Sequence, residues 1–218
     1  MARYSARQRA QEDDHGPRPS PGGKVNLDAV PEELKTRRQW VVCGDDKILR
    51  KPMDPARKAK VNDPTTWSGY GEAVAALEAP GSSFLGYVFL ADDPVAGVDF
   101  DDCRNPDSGV IDAAVQAEVE KLDSYTEVSP SGTGLHVLVT LDEKLPAHGR
   151  KKSWVEIYAS GRFFTITGSH LPGTPATINA RTQEVLALHK RAFGDKDATL
   201  STDNSAKGSN AKSGALTD

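Results

Sequence analysis

Seven short apolar runs, each closed off by polar or turn-forming residues, constrain this chain more than any other feature. They are WVVC, LGYVFL, AGVDFD, YTEVS, LHVLVTL, WVEIYA and RFFTITG. Each has the length of a strand and is too short for a stable helix. Four segments carry helical spacing or capping signals: NLDAVPEELKTRRQ, DPTTWSGYGEAVAALEA, GVIDAAVQAEVEKLD and NARTQEVLALHKRAF. Strands outnumber helices and most are joined by short turns. The expectation is an α+β domain with a mixed, largely antiparallel sheet and flanking helices. WVEIYASGRFFTITG reads as one hairpin, strand–ASG–strand.

The ends differ from this middle. Residues 1–24 are polar, finish in GPRPSPGGK and show no apolar period, so a disordered arm is expected there. Residues 195–218 are rich in Ser, Gly, Asn, Lys and Asp and read as a disordered polar tail. That leaves 25–194 as one folded domain, from a chain of 218 residues. The N-terminus lacks the apolar core of a signal peptide, and no window approaches the ~18 apolar residues of a membrane span. Cys43 and Cys103 are far apart and form no CxxC pair, so neither a zinc ribbon nor a disulfide framework is indicated. A cytoplasmic protein with reduced thiols, not engaged with a membrane, is expected. The net charge of −4 argues against a non-specific coat for nucleic acid, but is compatible with a nucleic-acid enzyme whose site is itself acidic.

The run VAGVDFDDCRNP places Asp99 and Asp101 two residues apart in an apolar strand pattern. Residues two apart share a face, so these carboxylates stand together while Val98 and Phe100 face the core. Side by side they repel, unless a hard cation such as Mg²⁺ or Mn²⁺ lies between them. The other reading is a strand end entering a solvated turn. Asp102 points the opposite way and belongs to the turn. In WVEIYASGRFFTITG, Val155 and Ile157 face one side, and Trp154, Glu156 and Tyr158 the other. Glu156 is either a solvent-facing sheet residue or a third metal ligand. Arg162 is either a surface arginine or a phosphate contact.

EVSPSGTGLHVLV is a tight polar loop between two strands. Gly132 and Gly134 permit close backbone approach, Ser131 and Thr133 add hydroxyl donors, and successive N–H groups there can form an anion nest. His136 opens the following strand. A plain hairpin loop with a strand histidine is the alternative. No lysine follows the glycines, so this is not a Walker A loop. Together, acids that can hold metal and a loop, histidine and arginine that can hold phosphate suit nucleotidyl transfer.

Taken in order, VDFD, SPSGTGLH and WVEIYASGRFFTITG resemble the three motifs of the archaeo-eukaryotic primase superfamily. The resemblance is closest to the primase-polymerase domain of phages, plasmids and other mobile elements, which is often fused to a helicase. It runs from about Trp40 to Gly168 and includes the lead-in segments RQWVVCGDDKILRKPMDP and NDPTTWSGYGEAVAAL. The resemblance implies an RNA-recognition-like catalytic core with acids on the sheet face and two-metal nucleotidyl transfer using Mg²⁺ or Mn²⁺. It implies a single-stranded DNA template and an NTP or dNTP substrate. It assigns Asp99, Asp101 and Glu156 to metal and catalysis. Ser131, Gly132, Gly134 and His136 are assigned to the nucleotide phosphates, with His136 also in the catalytic set. Arg162 is implied as a triphosphate contact and Lys51 as a nucleotide or template contact. Better-understood members continue into a helical template-binding domain and a helicase. Here a polar tail follows the last helix, so a partner, such as a separately encoded helicase, is expected.

Between Lys35 and Lys60, nine Lys/Arg face three acids, Asp45, Asp46 and Asp54. This is either a solvated basic loop or a template channel. GRKKSW, residues 149–154, is a second basic patch that would grip template or primer. Trp67 and Tyr70 are candidates for base stacking, Trp40 belongs to the core, and Cys103 is a structural thiol. Two other functions fit clustered acids: a metal-dependent nuclease, and a non-catalytic nucleic-acid-binding replication protein. The usual nuclease pattern has a lysine two residues after the glutamate, where this chain has Tyr158.

Overall fold

The computed structural model describes residues 25–194; the arm expected at 1–24 and the tail expected at 195–218 lie outside the described residues. The strands, in chain order, are β1 (Trp40–Cys43), β2 (Leu49–Lys51), β3 (Asp54–Lys58), β4 (Phe84–Val88), β5 (Val95–Phe100), β6 (Thr126–Val128), β7 (Leu135–Thr140), β8 (Lys151–Lys152), β9 (Val155–Tyr158), β10 (Phe163–Ile166) and β11 (Asn179–Ala180). They form two sheets. The first has the order β10-β4-β1-β2-β3 and is antiparallel throughout. The second has the order β11-β7-β5-β9-β8, with β6 also paired to β7; its one parallel pair is β11 with β7. The α+β class expected from the sequence is what forms, but with two sheets instead of one.

The helices are α1 (Glu32–Lys35), α2 (Tyr70–Ala75), α3 (Ala113–Leu122) and α4 (Thr182–Phe193). In α3, Val115, Val119 and Leu122 recur at helical spacing and are buried. The helix stops at Asp123, whose left-handed φ of +37° is a C-terminal capping conformation. In α4, Val185, Leu188 and Ala192 form the matching stripe. Both stripes pack on one face of the second sheet, against Val98, Phe100, Val137, Val155 and Ile157. The segment read as one helix before Trp40 is instead a 3-10 turn (Leu27–Ala29) and the single turn α1, because Pro31 lies between them. No helix among the described residues is long and apolar enough to cross a membrane.

The other face of the second sheet meets the first sheet. Val95, Tyr125 and Leu138 join Trp40, Leu85, Tyr87, Phe89, Phe164 and Ile166 in one apolar cluster. Contact is closest at Gly97: a methyl group there would lie 2.3 Å from the Phe164 ring and 2.6 Å from Phe89. WVEIYASGRFFTITG is therefore not a hairpin. β9 pairs with β5 and β8 in the second sheet, while β10 pairs with β4 in the first. The residues between them carry the chain across, so the Phe164 side chain of β10 covers the second sheet. The true hairpin partner of β9 is β8, within the basic patch. Trp154, placed by alternation beside Glu156, lies in the β8–β9 turn and stacks on Phe100 with ring centroids 6.1 Å apart.

Candidate active site

Strand register assembles the site. Asp99 on β5 stands opposite His136 on β7 and opposite Glu156 on β9. His136 in turn faces Glu127 on β6, and Glu156 faces Lys151 on β8. Directly opposed residues share a face, so Glu127, His136, Asp99, Glu156 and Lys151 form one polar rung across five strands. One register step away, at Gly97, Leu138 and Tyr158, the same face is covered by the first sheet. Phe164 is the last ring of that cover and stacks on the His136 imidazole, 4.7 Å between centroids. The rung thus lies where the apolar cover ends. Its side-chain exposure is 0% at Glu127, 8% at His136, 22% at Asp99, 8% at Glu156 and 62% at Lys151.

The geometry sets the charges. Glu127 accepts hydrogen bonds from the Tyr125 hydroxyl and from the Thr167 and Gly168 N–H groups, each at 2.9 Å. Its Oε1 lies 3.6 Å from His136 Nδ1, and His136 Nε2 lies 3.7 Å from Asp99 Oδ1. Burial opposes protonation of His136, but Glu127 and Asp99 on its two sides outweigh it and hold the imidazole above its ordinary value. Burial raises the Asp99 carboxyl above the usual range. His136 counteracts that, Asp101 adds to it, and Lys151 and Lys47 counteract it more weakly. Glu156 pairs with Lys151, and Arg162 Nη2 lies 3.7 Å from its other oxygen. Arg162 also lies over the Tyr158 ring, 4.9 Å from its centroid.

Asp101 lies one residue beyond β5, its N–H still donating to the Trp154 carbonyl at 3.3 Å. Asp102 follows in the turn, as expected, with a left-handed φ of +47° and its carboxylate accepting from the Thr133 hydroxyl. The loop between β6 and β7 packs against this strand end. A methyl group at Gly134 would come within 2.7 Å of the Phe100 carbonyl, so only glycine lets the loop lie there. The loop is not an open anion nest. Gly132 N–H donates to the Ser129 carbonyl, Thr133 N–H to Ser131 Oγ and Gly134 N–H to Ser129 Oγ. What it presents outward is the pair of hydroxyls on Ser131 and Thr133, 2.9 Å apart.

Other expected contacts lie apart from the rung. Lys51 is on β2 in the first sheet, with β1 and β4 between it and β10. The basic segment is partly neutralised: Lys35, Arg37, Arg38, Arg50 and Arg57 pair with Glu32, Asp93, Glu72, Asp46 and Asp54. Trp40 and Trp67 are buried, their indole N–H groups donating to the Leu34 and Lys60 carbonyls, and Tyr70 packs edge-on against Trp40. Burial pushes the Cys103 thiol up to about 12, in keeping with a structural role. In the second patch, Lys152 donates to the Ala192 carbonyl at the end of α4. Sequence reading missed Glu127 as part of the site, and placed Lys151 only in a basic patch expected to grip template or primer, not beside Glu156 on the rung. The signal for Glu127 was a carboxylate inside the apolar run YTEVS, the same kind of anomaly as Asp99.

The donor chemistry of Asp99, Asp101 and Glu156 fits a hard divalent cation, since all three offer carboxylate oxygen. Among the described residues, however, no three His, Cys, Asp or Glu side chains are gathered closely enough to hold a metal ion. The cationic ends of Lys151 and Arg162 occupy Glu156 instead.

No family model matches the chain. In a 148-residue alignment that covers 64% of the chain, it is 36% identical to the DNA primase-polymerase of Nitratiruptor phage NrS-1. The match spans 20% of that relative, so the chain corresponds to about a fifth of the phage protein.

Proposed function

We propose that residues 25–194 form a catalytic domain for template-dependent nucleotidyl transfer, acting as a DNA primase, a DNA polymerase or both in the replication of a phage, plasmid or other mobile element. The observation that carries this reading is the register of Asp99, which sets it beside both His136 and Glu156 on one sheet face, where the apolar cover from the first sheet ends. Similarity to a phage primase-polymerase supports the same reading.

Asp99, Asp101 and Glu156 would hold Mg²⁺ or Mn²⁺, which supplies activation of an attacking 3′-hydroxyl and charge stabilisation of the leaving pyrophosphate. The chain's own groups position the substrate. His136, fixed between Glu127 and Phe164, presents Nε2 toward the open end of the rung, where it can donate to a phosphate oxygen. Ser131 and Thr133 offer hydroxyl donors from the loop above. Arg162 and Lys151, which lie at Glu156 here, would turn to the triphosphate, whose charge would replace the carboxylate they leave. Single-stranded DNA is the template in this reading, and a separately encoded helicase is a candidate partner.

The test is extension of a primed template with Mg²⁺ or Mn²⁺ and dNTPs, followed by synthesis on an unprimed template with NTPs. Wild type extends in a metal-dependent way, and Asp99→Ala or Asp101→Ala abolishes extension. Equal behaviour of wild type and both variants overturns the reading. Degradation without extension favours a nuclease instead. His136→Ala retains the fold and weakens nucleotide binding by roughly tenfold or more, the worth of one charge-assisted hydrogen bond. Unchanged affinity removes its phosphate role.

A further inference from the structure

Arg104 is a buried cation with no counter-ion among the described residues. It lies just past the Asp99–Asp101 strand end and is 7% exposed. Its Nη1 donates to the Gly132 carbonyl at 2.9 Å, and its own N–H donates to the Thr133 carbonyl at 2.9 Å. Nε is buried and has no hydrogen-bond partner. No carboxylate pairs with it among the described residues, and burial works against its charged form. A guanidinium has five N–H donors and remains charged throughout the physiological range, so leaving it buried with one accepted side-chain bond is costly. Arginines that serve only as struts are met by a carboxylate or by several carbonyls; Arg181, which bonds to the Leu122, Ala180 and Asp123 carbonyls and to the Asp123 carboxylate, is an example in this chain.

The position of Arg104 explains the cost. It underlies residues 132–133, while the hydroxyls of Ser131 and Thr133 project from the same loop. The loop residues 129–134 carry no charge of their own. We propose that Arg104 is the fixed positive charge of this loop and that a nucleotide's triphosphate is its missing counter-ion. The proposal deepens the nucleotidyl-transfer reading by adding a phosphate-binding residue that the motifs did not identify. Both the hydroxyls and the guanidinium then act on one polyphosphate, the hydroxyls by direct donation and Arg104 by charge at short range through a loop it also holds in place.

Inorganic triphosphate is the probe, because its binding is read without synthesis and is independent of whether the chain polymerises anything. Full-length wild type, Arg104→Gln and Arg104→Lys are compared by calorimetry and thermal melting. Arg104→Gln binds triphosphate roughly tenfold to a hundredfold more weakly. It melts no lower than wild type without ligand, since a neutral donor replaces an unpaired buried charge. Arg104→Lys keeps most of the triphosphate response. Adenosine, which lacks phosphate, and a single-stranded oligonucleotide bind all three proteins alike. The proposal is overturned if Arg104→Gln binds triphosphate as wild type does, or if Lys and Gln lose it equally while both melt lower, which marks a strut. It is also overturned if only oligonucleotide binding falls, which assigns the charge to a nucleic-acid backbone.

Discussion

Glu127 sits fully buried at the inner end of the rung, and its surroundings explain how a carboxylate is tolerated there. Two backbone N–H groups, a tyrosine hydroxyl and a facing imidazole divide its acceptor capacity among β6, β7 and the turn after β10. Glu127→Gln replaces one oxygen by a donor, which then confronts either Thr167 or Gly168 N–H. A loss of roughly 1–3 kcal/mol is expected in urea denaturation. The same substitution removes the negative charge that helps hold His136 above its ordinary value, so the His136 titration read by NMR moves down. The sign for stability follows from the raised value. The pairing contributes fully below the unfolded imidazole value of about 6.5 and fades as pH rises through the higher folded one. In Glu127→Gln that pH dependence is smaller; an unchanged profile assigns the shift to Asp99 alone.

At the scale of elements, the loop between β6 and β7 is held by what it lacks. Without a side chain at 134 it lies against the Phe100 carbonyl, which places Ser131 and Thr133 beside the end of β5. Gly134→Ala pushes loop and strand end apart. Nucleotide affinity or extension falls roughly tenfold to a hundredfold, as expected for displacement of substrate-positioning groups by about an ångström. Circular dichroism of the variant stays close to that of wild type; a collapse of the whole spectrum assigns the glycine to folding instead. The motif glycine was legible in the sequence as a close-approach residue, and what it approaches in the structure is the end of the neighbouring strand. The short strands themselves were legible from their apolar runs, and the amphipathic α3 and α4 from their spacing. β2 and β3 were not, because both are short and charged, β3 is largely exposed, and Pro52 and Pro55 interrupt the run.

For the whole molecule, the junction of two sheets determines where the site opens. The chain leaves the second sheet after β9, and β10 brings Phe164 back across it, onto Gly97 and His136. Gly97→Ala forces a methyl group into that contact, and overpacking of about 1–3 kcal/mol is expected by chemical denaturation. Because Phe164 also supports His136, the variant loses nucleotide affinity as well as stability. Loss of stability alone would separate the two roles of the ring.

The sequence by itself determined the class of fold, the residue types of the site and their order along the chain. Local pattern carries that information: alternation marks strands, and a charge inside an apolar run marks a place where burial is offset by something specific. It could not determine which strands share a sheet, since a turn of a few residues joins partners within one sheet or carries the chain to another, and WVEIYASGRFFTITG did the latter. Nor could it give register, and register is what sets Asp99 between His136 and Glu156, adds Glu127 and Lys151 to the same rung, and leaves Lys51 in the other sheet. Those relations depend on long-range pairing and on burial, which exist only once both sheets have closed on each other.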